Sequence, residues 1–286
     1  MGYMHIENLY KDARILEFKH VYALCKIHGS SAHITWKDGH VLFSPGGVSH
    51  DSFVAIFDQE KLAERFANCG SPHVTVFGEV YGGKCQGMKA TYGDKLRFVA
   101  FEVRIDDLWL AVPQAEAFVL ELGLEFVHYK LVSTDMDALN AERDADSVQA
   151  VRNGMGEGHM REGIVLRPPF EVRLNNGERL IAKHKREDFS ETKTPRIVGV
   201  APEVLADARQ VADEWVTPMR LTHVLQRLPG ATGMEHTKDV VAAMTEDVLR
   251  EGAGEIVDSK AVRKEIGKAT VALWKRRIAE KRNDDE

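Results

Sequence analysis

Lys26-Ile27-His28-Gly29 places a candidate nucleophile beside a histidine and a glycine, and four further segments follow it in order: Phe77-Gly78-Glu79, Phe98-Val99-Ala100-Phe101-Glu102, Glu162-Gly163-Ile164-Val165 and Lys183-His184-Lys185. A lysine followed by a glycine is commonplace. The ordered set suggests an amine that attacks a nucleotide phosphate. A free lysine has a pKa of about 10.4, so near neutral pH only roughly one in a thousand is the neutral nucleophile, a penalty of about 4 kcal/mol. Nearby cations relieve that penalty by disfavouring another positive charge. Lys183 and Lys185, alternate residues on a strand, point to one face and suit both that task and the holding of a phosphate. Glu79, where a strand enters Tyr81-Gly82-Gly83, is placed to bind a ribose hydroxyl. Phe101 offers a flat face to a purine, and Glu162 a carboxylate for a hydrated Mg²⁺ beside the phosphates.

These residues need a scaffold, and the pattern around them predicts one. Ala32–Trp36 alternates, turns at Lys37-Asp38-Gly39-His40 and returns through Val41-Leu42-Phe43, a hairpin signal. A helix is expected from Asp58 to Asn68, with Phe57, Leu62 and Phe66 on one face and Gly70 just past its end. Strands are expected at Val74–Tyr81, Arg97–Ile105, Trp109–Val112, Gly163–Arg167 and Arg179–His184, the last pair flanking a turn at Asn175-Asn176-Gly177. Helices are expected from Pro113 to Leu122 and from Met136 to about Val151. The first 196 residues therefore read as α+β, mainly antiparallel sheet with helices. Beyond Thr194-Pro195 no alternating run follows, and residues 197–286 read as a small all-helical domain. Its helices are expected at Glu203–Trp215, from Thr217-Pro218 to Leu228, at Thr237–Arg250 and at Ser259–Lys281, the last rich in lysine and arginine.

Composition sets outer limits. The chain has 286 residues, 44% of them hydrophobic, enough for one large domain and a small one. A formal net charge of −6 argues against a uniformly basic coat for nucleic acid, so a polyanion would meet a local basic patch. No stretch of about 18 apolar residues and no secretory leader pattern is present, which points to a cytoplasmic protein without membrane contact. Cys25, Cys69 and Cys85 form no CxxC pair, against a disulfide framework or structural zinc. Gly78 to Cys85 matches P-loop spacing until Cys85 stands where a Ser or Thr would bind Mg²⁺, and no helix pattern follows it.

At the five segments the chain resembles the covalent nucleotidyltransferases, the superfamily of polynucleotide ligases and messenger-RNA capping enzymes. Within it the RNA ligase 2 family is nearest, on the strength of His28, Phe77-Gly78-Glu79-Val80-Tyr81-Gly82, Tyr92-Gly93-Asp94-Lys95 and Glu162-Gly163-Ile164-Val165. The likeness runs from about residue 20 to residue 190. It implies an ATP-dependent, AMP-forming RNA ligase using Mg²⁺ or Mn²⁺. Lys26 would attack the α-phosphate of ATP and release pyrophosphate; AMP would pass to an RNA 5′-phosphate, and a 3′-hydroxyl would then seal the ends. It also implies that Glu79 binds the ribose, Phe101 and Val165 flank adenine, Lys183 and Lys185 contact the α-phosphate, and His28 and Glu162 serve the phosphate and metal. Cys25 and Ile27 join Lys26 against the nucleotide. Partners would be RNA ends, with the protein a monomer.

Two positions depart from the family: Ser31 stands where an asparagine is usual, and Ser44-Pro45-Gly46-Gly47 where an arginine follows the next strand. Both concern polynucleotide ends, not the nucleophile. A DNA ligase or capping guanylyltransferase is the alternative within the superfamily, but residues 197–286 lack the alternating strands of an OB-fold. A non-catalytic RNA-end-binding protein is the alternative outside it, opposed by the joint presence of Lys26, Glu79, Glu162, Lys183 and Lys185.

Overall fold

The computed structural model describes residues 2–194, 196–199 and 207–284, and side chains through Lys281. The chain forms two compact units, Met1–Arg186 and Glu187–Glu286, dividing earlier than the boundary read near residue 196. No helix among the described residues is long and apolar enough to cross a membrane.

In the first unit the elements run β1 (Glu7–Asn8), β2 (His20–Lys26), β3 (Ser30–Lys37), β4 (His40–Ser44), α1 (His50–Val54), α2 (Gln59–Asn68), β5 (His73–Tyr81), α3 (Lys89–Tyr92), β6 (Arg97–Ile105) and β7 (Leu108–Trp109). They continue with α4 (Val112–Glu121), β8 (Tyr129–Ser133), α5 (Met136–Asp144), α6 (Val148–Arg152), β9 (Gly163–Arg167) and β10 (Ala182–Lys185). Two five-stranded sheets result, ordered β1-β10-β9-β2-β8 and β4-β3-β5-β6-β7. All neighbours are antiparallel except β1 with β10. Leu24 and Cys25 from the first sheet, with Ile27 just past its strand β2, pack in one core with Ile34, Val76, Val80 and Val99 from the second. Burying such side chains contributes about 1.5–3 kcal/mol each before entropy is counted.

The expected hairpin, the helix capped by Asp58 and the strands at 97–105 and 163–167 form as read. Other readings need correction. Trp109–Val112 is no strand: β7 ends at Trp109, and Val112 opens α4, because Pro113 suits a first helical turn and the Gln114 side chain accepts the Ala111 N–H at 3.3 Å. The helix expected from Met136 to Val151 is two helices. Ala145 turns extended (ψ 158°), Ser147 caps α6 by accepting the Ala150 N–H, and the Arg161 guanidinium donates to the freed Asp146 carbonyl. The strand expected from Arg179 starts at Ala182, while Arg179 makes an isolated bridge to Arg173. Strands β1, β2 and β8 were not read from the sequence.

The second unit contains α7 (Ala208–Trp215), α8 (Pro218–Gln226, capped by Thr217), α9 (Thr237–Glu251) and α10 (Lys260–Asp284). Residues 203–206 of the first expected helix, together with Pro195 at the expected boundary, lie outside the described residues. Trp215, Leu221, Val224, Met244, Val248, Ile266 and Trp274 form the core. Arg220 is fully buried there, donating to the Asp247 carboxylate at 2.6 Å and to the Trp215 carbonyl at 3.1 Å. A buried guanidinium is tolerable only when its donors are met in this way.

Candidate active site

Cross-strand register assembles the site. In the first sheet, Lys26 on β2 and Lys185 on β10 lie opposite the same residue of β9, Gly163; two rows on, Leu24 and Lys183 flank Val165. Gly163 is required between the two lysines. Its φ is +150°, and a Cβ there would sit 2.3 Å from the His184 carbonyl oxygen. Glu162, the residue before it, lies between the cations at 2% exposure. Its Oε2 meets Lys26 Nζ at 3.0 Å and His28 Nδ1 at 3.2 Å, and its Oε1 meets Lys185 Nζ at 3.0 Å. Burial alone would raise its pKa, but Lys26, Lys185 and His28 outweigh burial and hold the carboxyl well below the usual carboxylate range.

Chain connectivity fixes Lys26. β2 ends at Lys26 and β3 begins at Ser30, so residues 27–29 carry the chain from one sheet to the other. Ile27 and His28 are buried, the His28 N–H donates to the Tyr92 hydroxyl at 3.3 Å, and Gln86 Nε2 donates to the Gly29 carbonyl at 3.0 Å. Gly29 packs so closely on β5 that a Cβ would lie 2.3 Å from the Val80 carbonyl oxygen and 2.9 Å from Glu79 Cγ.

Beside Lys26 opens a cavity of about 240 Å³, lined by Leu24, Cys25, Ile27, Val99, Val127 and Val165, with Phe101, Glu79, Lys183 and Ser31 also on its wall. A volume several times the ~30 Å³ of one water and a largely apolar lining suit a flat organic group. Glu79 faces Ser31 across the β3–β5 ladder, and its pKa is pushed up to about 8, chiefly by burial, with the Glu162 charge adding to the rise and Lys26 opposing it. Cys25 is held as a thiol by burial, its pKa pushed up to about 11. It is therefore a wall of the cavity and not a reactive thiolate. The two departures also have places: Ser31 on the cavity wall, and Ser44 at the end of β4 opposite His33.

The structure thus brings Lys26, Glu79, Phe101, Val165 and Lys183 to one cavity, with Cys25 and Ile27. His28, Glu162 and Lys185 are drawn together around the carboxylate that pairs with Lys26. Sequence reasoning missed the far end of this cavity. Pairing between β5 and β6 shifts there, so that Phe77 faces Glu102 and Gly78 faces Ala100, leaving Phe101 as the extra residue of a bulge. The bulge breaks the two-residue alternation, and Phe101 and Glu102 both reach the cavity. Glu102, with no exposure, binds Arg179 through contacts of 2.6 and 2.8 Å, pairs with Arg167 and accepts the Tyr3 hydroxyl. Tyr3 sets its ring edge-on to Phe101, 4.9 Å between centroids, and Arg179 lies over Trp109 at 4.0 Å. Glu102 and Arg167 carried a signal, since charged residues inside apolar strands require partners. Tyr3 and Arg179 carried none.

The model of the RNA ligase family matches residues 19–185, more than half of the chain. The chain belongs to the RNA ligase family. Solved structures of an RNA ligase from Naegleria gruberi share its nucleotidyltransferase fold. A ligand-free mutant superposes with a TM-score of 0.51 at 17% identity, over 66% of this chain and 56% of that one. A mutant with ATP and Mn gives 0.51 at 16% identity over the same shares, and the ligase with PPi gives 0.51 at 15%, over 66% and 57%. This RNA ligase family member therefore spans a little over half the length of the Naegleria enzyme. Comparison with curated protein sequences gave no match.

Proposed function

We propose that the protein is an ATP-dependent RNA ligase that joins a 5′-phosphate to a 3′-hydroxyl through a lysyl-AMP and an adenylylated RNA. The observation that carries this reading is the convergence of Lys26, His28 and Lys185 on the buried carboxylate of Glu162, beside a cavity walled by Phe101 and Val165. ATP enters with adenine between Phe101 and Val165 and its ribose at Glu79; Cys25 and Ile27 close the wall beside Lys26. Lys183 and Lys185 hold the α-phosphate. The Lys26 ammonium gives up a proton to water, the freed amine attacks the α-phosphorus, a P–N bond forms, and the P–O bond to pyrophosphate breaks. An RNA 5′-phosphate oxygen then displaces the lysine from that phosphorus, and a 3′-hydroxyl finally displaces AMP from the activated end. Preorganised cations around the developing negative charge supply much of the stabilisation in such transfers.

Among the described residues no cluster of three or more His, Cys, Asp and Glu could cage a metal ion, and both Glu162 oxygens are already met by Lys26, His28 and Lys185. A divalent cation would therefore be held by Glu162 only through its water shell, as Mg²⁺ commonly is where one or two carboxylates hold it. Mg²⁺ or Mn²⁺ held there through water supplies charge neutralisation at the phosphates. Incubation with radiolabelled ATP and either metal tests the reading. A covalent AMP adduct is expected on the native protein and none on Lys26→Ala; a native protein that forms no adduct refutes it.

A further inference from the structure

The far end of the cavity holds hydrogen-bonding groups that the protein itself does not use up. On β9, Gly163, Val165 and Arg167 are alternate residues and share a face. Arg167 therefore stands about 13 Å along the strand from the row that pairs Lys26 with Gly163. Tyr3, Glu102 and Arg167 all line the cavity, Glu102 with no exposure and Arg167 at 3%. A base flanked by Phe101 and Val165, with its phosphate at Lys26, carries its outer edge toward this end.

Glu102 has no capacity left for a ligand. A carboxylate offers about four lone-pair sites. Its Oε1 meets Arg179 Nη2 at 2.6 Å and Arg167 Nη1, and its Oε2 meets Arg179 Nη1 at 2.8 Å and the Tyr3 hydroxyl. Tyr3 thus gives its one proton to Glu102. Burial, and then the Glu102 charge, raises the phenol well above its usual pKa and keeps that proton in place. What the Tyr3 oxygen can still offer a ligand is acceptance. Arg167 supplies the complement. Its Nη2 donates to the Leu110 carbonyl at 3.1 Å, but its Nε is buried and meets no acceptor among the described residues. A buried donor left unmet is costly, and a ligand that meets it recovers that cost.

We infer that the Tyr3 oxygen accepts the 6-amino group of adenine while Arg167 Nε donates to a ring nitrogen of the same base, so that this end of the cavity selects adenine over guanine. Adenine carries its amino donor beside the acceptor N7, whereas guanine presents two acceptors, N7 and O6, on the corresponding edge. Against guanine the Tyr3 oxygen would oppose O6 with no proton between them. The Tyr3 ring is fixed for the task. It packs against Phe77 and Trp109 at 5.2 and 6.1 Å between centroids, and at 77° to Phe101 it does not stack on that ring. The nucleotide comes from the ligase reading above; the count of donors and acceptors rests on this end of the cavity alone.

The test is calorimetric titration of the native protein and of Tyr3→Phe with AMP, GMP and purine riboside 5′-monophosphate, which lacks the 6-amino group; none of the three can form an adduct. The native protein is expected to bind AMP roughly tenfold more tightly than either of the others, the worth of one hydrogen bond. Tyr3→Phe keeps the ring and its packing. It should lose roughly tenfold on AMP and almost nothing on the purine riboside nucleotide, bringing their ratio to about one. A purely structural role for Tyr3 would weaken both nucleotides equally, so equal losses overturn the inference, as does a variant that keeps the native ratio. A native protein that binds the three nucleotides alike, or binds no AMP, overturns it without recourse to any variant. Adduct formation from labelled ATP, measured in parallel, separates the two readings. Adenine selectivity without adduct counts against the ligase and leaves the base-reading role of Tyr3 standing; adduct without selectivity does the reverse.

Discussion

Removing the charge of Glu162 tests the centre of the site. In Glu162→Gln an amide of nearly the same shape meets Lys26 Nζ, Lys185 Nζ and His28 Nδ1, which now approach the carboxylate at 3.0, 3.0 and 3.2 Å. At an effective dielectric near 20, one such contact has a gross Coulomb energy of about 5 kcal/mol, most of it offset by desolvation. Breaking a buried ion pair from one side costs about 3–5 kcal/mol net, because the remaining charges are left uncompensated. The variant should therefore lose about that much in urea unfolding near pH 7, and its AMP adduct should fall at least tenfold. The pH dependence carries a definite sign. Since the folded carboxyl lies well below the ordinary carboxylate range, its contribution is present above the unfolded pKa and lost as pH falls through the folded value. The stability gap between native protein and variant should narrow in acid. Adding Lys185→Met to Glu162→Gln should recover part of the loss, because one stranded cation is removed. A variant as stable and as reactive as the native protein, or a gap that widens in acid, would refute the reasoning.

Glu79, with its pKa raised to about 8, has the opposite sign. Its contribution is present below the ordinary glutamate range and is lost as pH rises through about 8, so Glu79→Gln should gain melting temperature relative to the native protein across that window; parallel melting curves would remove the carboxylic acid from the account. Gly163→Ala forces a Cβ against the His184 carbonyl at a positive φ and should cost about 2 kcal/mol or more, with loss of the adduct, both measurable on one purified sample. In the second unit, Asp247→Ala removes the nearer of two carboxylates from the buried Arg220, leaving Glu191 at 3.4 Å, and should cost about 3 kcal/mol in chemical unfolding; a loss below about 1 kcal/mol would show that Glu191 alone suffices.

Legibility in the sequence followed the range of the forces involved. Asp38-Gly39, Asp58 and Thr217-Pro218 specify local geometry, and the hairpin and both helix starts were readable from them. The residues around the candidate nucleophile were readable because each stands beside a glycine or at alternate strand positions. Strand β2, which bears Lys26, was not. It is an inner strand of its sheet, between β8 and β9, and His20-Val21-Tyr22-Ala23-Leu24-Cys25 shows no clean alternation. Sheet order places Lys185 and Lys26 on either side of Gly163, and no local pattern encodes that. The break at Ala145 was hidden for a similar reason, since it is held by Arg161, 16 residues later in the sequence. Glu102 was obscured by the bulge at Phe101, which defeats a period-two reading at the point where the cavity gains its charged end.

The three-residue passage between the sheets has a mechanical consequence. Ile27, His28 and Gly29 are held by core packing, by the Tyr92 hydroxyl and by Gln86, and Gly29 leaves no room between itself and β5. The passage acts as a weld and not as a hinge. The backbone that carries Lys26 cannot swing without separating two sheets, so the travel its amine needs must come from the torsions of its own four methylenes. Side-chain rotations of that kind take picoseconds to nanoseconds where space allows. On the proposed ligase reading, Lys26 would reach a phosphate by leaving the Glu162 carboxylate 3.0 Å away and turning about its own side-chain bonds, with its backbone held still.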